Sequence, residues 1–116
     1  MSVGNVARPH FDQEAFDELR QIFPKDRVQV FVDNLNSMLA ELASHGETEV
    51  EKVEFHAHKL ASRAGILGCA HLSDLAIMLE DACRNGGDIE GYFSAVIEEG
   101  AAIEREFEKL LDETSV

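Results

Sequence analysis

Residues 55–68 read FHAHKLASRAGILG and place two histidines, His56 and His58, two positions apart. Imidazole can act near neutral pH as nucleophile, general base or metal ligand, so the surroundings of each ring decide its chemistry. The apolar residues Val50, Val53, Ala57, Leu60, Ala64 and Leu67 alternate at spacings of three and four, the stripe of an amphipathic helix. At about 100° per residue, His56 falls roughly 70° to one side of that stripe, at the core edge, and His58 roughly 130° to the other, facing out. The rings diverge by about 200° and cannot chelate one metal ion.

His58 has small neighbours. Ala61, Ser62 and Gly65 follow it at i+3, i+4 and i+7, and only Phe55 at i−3 is bulky. Glycine within a helix costs about 1 kcal/mol relative to alanine, so Gly65 implies that a second surface approaches closely. Two other readings remain open: Ser62 and Gly65 begin an early helix end, or Gly65 admits a packing contact inside the fold. An exposed imidazole with access to one ring nitrogen is suited to attack a phosphoryl group, provided the other nitrogen has a hydrogen-bonding partner. The following amphipathic segment offers Glu80 to accept from the ring and Arg84 to steady phosphate oxygens. On pattern alone, an ordinary exposed i,i+4 Glu–Arg pair is the simpler account of those two residues.

The elements that must position His58 follow from the turn signals. A first helix runs from about Asp12, a good N-cap, to Phe23, with Phe16, Leu19 and Ile22/Phe23 on one face, and Pro24 ends it. Asp26 is placed to cap a second helix with a stripe of Val28, Phe31, Leu35, Met38 and Leu42, stopped near Gly46. Thr48 and Glu51 match a capping box for the third helix, which ends at Gly68. Leu72, Leu75, Ala76, Leu79, Ala82 and Cys83 mark the inner face of a fourth, stopped by the NGG at 85–87. Asp88 can cap a fifth helix carrying Phe93, Val96, Ile97, Ile103, Phe107, Leu110 and Leu111. No segment has a period of two. The expected fold is all-α: an antiparallel up-down-up-down four-helix bundle with a short N-terminal helix packed across one end, in one domain spanning residues 1–116.

Composition narrows the function classes. The formal net charge of −13 argues against nucleic acid or an anionic membrane as partner, because phosphate surfaces are bound by Lys and Arg. No apolar run approaches the roughly 18 residues that span a bilayer. Cys69 and Cys83 fall in apolar-periodic stretches, and without a signal peptide they read as reduced core residues of a cytoplasmic protein. A di-iron bundle needs Glu-x-x-His pairs, and none of the five histidines follows a glutamate by three. His10 and His45 read as solvated loop residues and His71 as a turn residue.

The stretch AHKLASRAGILGCAHLSDLAIMLEDACRNG, residues 57–86, resembles the histidine phosphotransfer (HPt) domain family. The family motif has a histidine, a leucine two later, small residues four to seven later, a glycine ten later, and an apolar helix ending in Leu-Glu. Here those are His58, Leu60, Ser62–Gly65, Gly68 and Leu79-Glu80. The resemblance implies that His58 accepts phosphate, that Glu80 orients its imidazole and that Arg84 stabilises the phosphoryl group. It also implies exchange with the aspartate of response-regulator receiver domains or with a hybrid histidine kinase. The receiver would supply the Mg²⁺, and the chain would have no cofactor and no ATP-dependent kinase activity of its own. Phe55, Lys59, Ala61, Ser62, Gly65 and Ile77 would form the docking face.

Two departures stand out. The family frequently has lysine three and glycine four after the histidine, where this chain has Ala61 and Ser62. The helical wheel sets Lys59 and Arg63 on other sides, leaving Arg84 to supply the missing charge. Arg63 stands where a small residue is common. The alternative function is a docking module of the same fold in which His58 is incidental. Beginning at Met1, the chain reads as a free-standing phosphotransfer protein, and as a monomer because it shows no additional helical seam.

Overall fold

The structure, a computed structural model, describes residues 13–46 and 48–114. The expected cap Asp12 and the histidine His10 lie outside the described residues, as do the side chains of Leu110 and Leu111. Among the described residues, five helices form a helical bundle: α1 (Gln13–Ile22), α2 (Lys25–His45), α3 (Val50–Ile66), α4 (Ala70–Asn85) and α5 (Ile89–Thr114). Among the described residues there is no strand, and no helix is long and apolar enough to cross a membrane.

The helix stops follow the glycines. Gly46, Gly68 and Gly86 adopt φ of 75°, 79° and 76°, the left-handed region that glycine enters without a Cβ penalty. After α4 the amides of Gly86 and Gly87 both donate to Ala82 O, at 2.9 and 3.0 Å. At the start of α5 the Asp88 carboxylate accepts from the Gly91 amide at 2.9 Å, the capping contact expected of it.

Two expected caps are corrected. Pro24, not Asp26, caps α2: its carbonyl accepts from the Arg27 and Val28 amides at 3.0 and 3.1 Å, and the helix begins two residues earlier. Asp26 then sits in the first turn, where its charge still complements the helix dipole. The Thr48–Glu51 capping box does not form, because Glu49 is the N-cap of α3 and makes no side-chain cap bond. Its carboxylate instead meets His45 Nδ1 at 3.3 Å and Lys52 Nζ at 3.4 Å.

The core draws on every helix. Phe16, Val28, Leu35, Leu42, Val53, Leu60, Leu72, Leu79, Val96, Ile103 and Phe107 are all buried. On α2 the buried stripe includes Val32 and Leu39, while Phe31 and Met38 are only partly covered. A helix packed against several neighbours buries a wider face than one a/d seam, which explains the difference. Val50, Leu75, Cys83 and Ile97 are likewise half-buried. Phe16 ties α1 to α5 through a tilted ring contact with Phe107, centroids 5.2 Å apart. The seam of α2 and α5 is tight at Gly100, where a Cβ would lie 2.6 Å from Leu39 Cδ2. No side chain larger than hydrogen fits there unless Leu39 moves.

Candidate functional site

The stripe Val53, Ala57, Leu60 and Ala64 is buried and points α3 inward, which turns His58 outward. The His58 side chain is 71% exposed, and that of His56 only 13%. His58 Nδ1 lies 2.9 Å from Glu80 Oε2 on α4. An ionised carboxylate can only accept, so the neutral imidazole carries its proton on Nδ1 and turns the Nε2 lone pair to solvent. That is the protonation state a nitrogen nucleophile requires.

Glu80 is not an ordinary exposed residue. It is 8% exposed, and a buried carboxylate needs a compensating charge. Arg84 supplies it: Nη2 donates to the same Glu80 Oε2 at 2.7 Å, and Nε donates to Glu54 Oε2 at 2.8 Å. The guanidinium is held above its ordinary pKa, first by the hydrogen bond to Glu54 and then by the charge of Glu80. Its Nε and Nη2 therefore face carboxylates.

His58 stands between two shallow depressions. One, of about 380 Å³, is lined by Glu51, Glu54, Phe55, His58, Glu80 and Arg84. The other, of about 300 Å³, is lined by Met38, His58, Lys59, Ser62, Arg63 and Ile66. Lys59 and Arg63, set aside by the wheel, thus share a surface with His58, because long side chains reach well beyond the direction of their Cβ. Lys59 also lies over the Phe55 ring, 5.1 Å from its centroid.

Phe55 and Ile77 are exposed, at 60% and 51%, and Ser62 and Gly65 are exposed with them. Ala61 is a correction: it is buried, under a hydrogen bond from Ser73 Oγ to its carbonyl at 2.8 Å, and offers little side chain to a docking face. Gly65 is not an early helix end, since α3 continues through Ile66 and Gly65 is absent from the positive-φ glycines. Nor does internal packing demand it, because an added Cβ would meet only Ser73 Oγ, at an ordinary 3.7 Å. Neither of these two readings accounts for the glycine.

Glu54 is the site residue that sequence reasoning missed. It lies four before His58, one turn along the same face of α3, but its link to Arg84 depends on how α4 packs. His45 is a second correction. It ends α2 instead of lying in a loop, and its Nε2 is 3.1 Å from His56 Nε2. Glu49 and Glu41 face the two Nδ1 atoms at 3.3 and 3.5 Å. Among the described residues, no three His, Cys, Asp or Glu side chains gather to hold a metal ion.

The crystal structure of histidine-containing phosphotransfer protein B (HptB) from Pseudomonas aeruginosa PAO1 has a similar fold. The match has a TM-score of 0.79 at 17% identity and covers 92% of this chain and 98% of that one. No curated protein matches. The Hpt domain family model matches residues 26–114, which run from the second residue of α2 to the end of α5 and include the whole His58–Glu80–Arg84–Glu54 cluster. The chain belongs to the Hpt domain family, the histidine phosphotransfer modules of two-component signalling.

Proposed function

We propose that this chain is a stoichiometric phosphocarrier that takes a phosphoryl group onto His58 Nε2 from the aspartate of a response-regulator receiver domain and returns it to another. The observation that carries this reading is an exposed imidazole whose Nδ1 is fixed at 2.9 Å by a buried carboxylate. The Nε2 lone pair attacks phosphorus, the bond to the aspartyl oxygen breaks, and that oxygen leaves with its electron pair as a carboxylate. The phosphorylated ring becomes cationic while its Nδ1–H stays on Glu80, whose negative charge stabilises it. Reversal needs only a second receiver aspartate in the same position.

Receivers bring their own acidic pocket and Mg²⁺, so the bundle contributes a positioned nucleophile and a docking surface, with no kinase activity of its own. Phe55, Lys59, Ser62, Gly65 and Ile77 form that surface, and Arg63 joins Lys59 as a cation beside the incoming phosphate. Arg84 remains within the same depression as His58, where its charge also favours a phosphoryl group. A hybrid histidine kinase is an equivalent donor, and the carrier acts as a monomer. Short loops between α2 and α5 support an up-down-up-down course for these helices, with α1 laid across one end.

The test is phosphotransfer from a panel of phosphorylated receivers to the wild type and to His58→Gln. Acid-labile, alkali-stable phosphate on the wild type alone is expected. A partner bound equally by both proteins, with no phosphate on either, would make the chain a docking module.

A further inference from the structure

We propose that Glu54 is a positioning residue that fixes Arg84, through it Glu80, and through Glu80 the tautomer of His58; this rests on reading His58 as the phosphoryl acceptor. Three contacts among four side chains, with one turn of α3 between Glu54 and His58, make a ring across two helices. His58 Nδ1 and Arg84 Nη2 share one oxygen, Glu80 Oε2, at 2.9 and 2.7 Å, and Arg84 Nε reaches back to Glu54 Oε2 at 2.8 Å. Glu54 and His58 are one turn apart on α3, while Glu80 and Arg84 are one turn apart on α4, so the ring begins and ends on the same helix.

One of its links is Arg84, a long side chain that is 58% exposed and would otherwise be hydrogen-bonded to Glu80 only, with the charge of Asp81 nearby. Two carboxylates on adjacent donors fix the guanidinium plane. A fixed guanidinium keeps Glu80 Oε2 aimed at Nδ1 and so keeps the Nε2 lone pair available. In this arrangement the main work of Arg84 is to hold Glu80 against His58.

The experiment compares Glu54→Ala and Glu54→Gln with the wild type in the full chain, with helicity checked by circular dichroism. Imidazole ¹⁵N shifts report the His58 tautomer, and single-turnover transfer at varied receiver concentration separates maximal rate from half-saturation. Glu54→Ala is expected to move the tautomer population about two- to fivefold toward Nε2–H, the range set by exposed ion pairs, and to lower the maximal rate by a similar factor. Half-saturation should not change. Glu54→Gln, whose amide oxygen still accepts from Arg84 Nε, should restore most of both.

A wild-type tautomer population in Glu54→Ala would overturn the proposal. So would a loss confined to half-saturation, which would make Glu54 a docking contact. A tautomer shift in a protein whose wild type accepts no phosphate from any donor would sink the carrier reading and leave the positioning role standing.

Discussion

Replacing Gly65 with alanine separates the stability of the bundle from its use. The residue is helical, exposed and next to the last position of α3, and its φ is not in the left-handed region. An added methyl would meet Ser73 Oγ at 3.7 Å, a contact without strain. Alanine is better than glycine inside a helix by about 1 kcal/mol, and roughly half of that should survive so near the end. For a domain of this size the gain corresponds to a rise in Tm of about 2–3 °C.

If a receiver docks on this face as proposed, the methyl would overpack the contact at a cost of about 1–3 kcal/mol, or roughly 5- to 150-fold in affinity. Thermal melts by circular dichroism and the receiver concentration that half-saturates transfer provide the two measurements. A lower Tm would refute the packing argument. A higher Tm with unchanged half-saturation would refute the claim that Gly65 is small for a partner.

Glu80→Ala removes the acceptor from His58 Nδ1 and should lower the maximal transfer rate by about tenfold or more, the scale of a charge-assisted hydrogen bond; a wild-type rate would show that Glu80 does not orient the ring. Phe16→Ala should cost about 3–5 kcal/mol in urea denaturation, because the ring is fully buried against Phe107. The His58 tautomer should be unaffected at low temperature, since α1 contributes nothing to the ring of polar side chains. Burial, and secondarily the charge of Glu99, pushes the Cys69 thiol from 9.0 to about 12. Above pH 9 the unfolded chain therefore releases a proton that the folded chain keeps, and stability should fall as pH rises, by up to about 1.4 kcal/mol per unit. Urea midpoints at pH 8 and pH 10 should diverge less in Cys69→Ala than in the wild type, and equal divergence would contradict the assignment.

What could be read before folding depended on how local each feature is. Helical period alone separated His58 from His56, because one stripe of four buried residues sets the direction of α3. The stops at Gly46, Gly68 and Gly86 were legible for the same reason, since a positive φ is a property of one residue. The caps at Asp26 and Thr48 were not, because each loses to a nearby residue, two positions before Asp26 and one after Thr48. The Pro24 carbonyl takes the first amides of α2, and Glu49 takes the cap of α3 while its carboxylate is drawn to His45 and Lys52.

Glu80 and Arg84 could be named, but an exposed i,i+4 pair has the same spacing. The burial of Glu80 distinguishes the two and arises from the packing of α3 on α4. Glu54 and the His45–His56 contact are wholly tertiary: each joins residues on different helices, and no period within one helix encodes them.

The close seam at Gly100 makes positions 39 and 100 joint owners of one volume. A Cβ at 100 would stand 2.6 and 2.9 Å from the two methyl carbons of Leu39, so neither position has a tolerance of its own. Leu39→Ala would open a cavity beside Gly100, and Gly100→Ala would force the leucine out of its place, yet the two changes together trade one volume for the other. Aligned relatives should show this as exchange, with a smaller residue at 39 wherever 100 carries a side chain. Grafting α5 from such a relative onto this α2 should fail unless residue 39 travels with it.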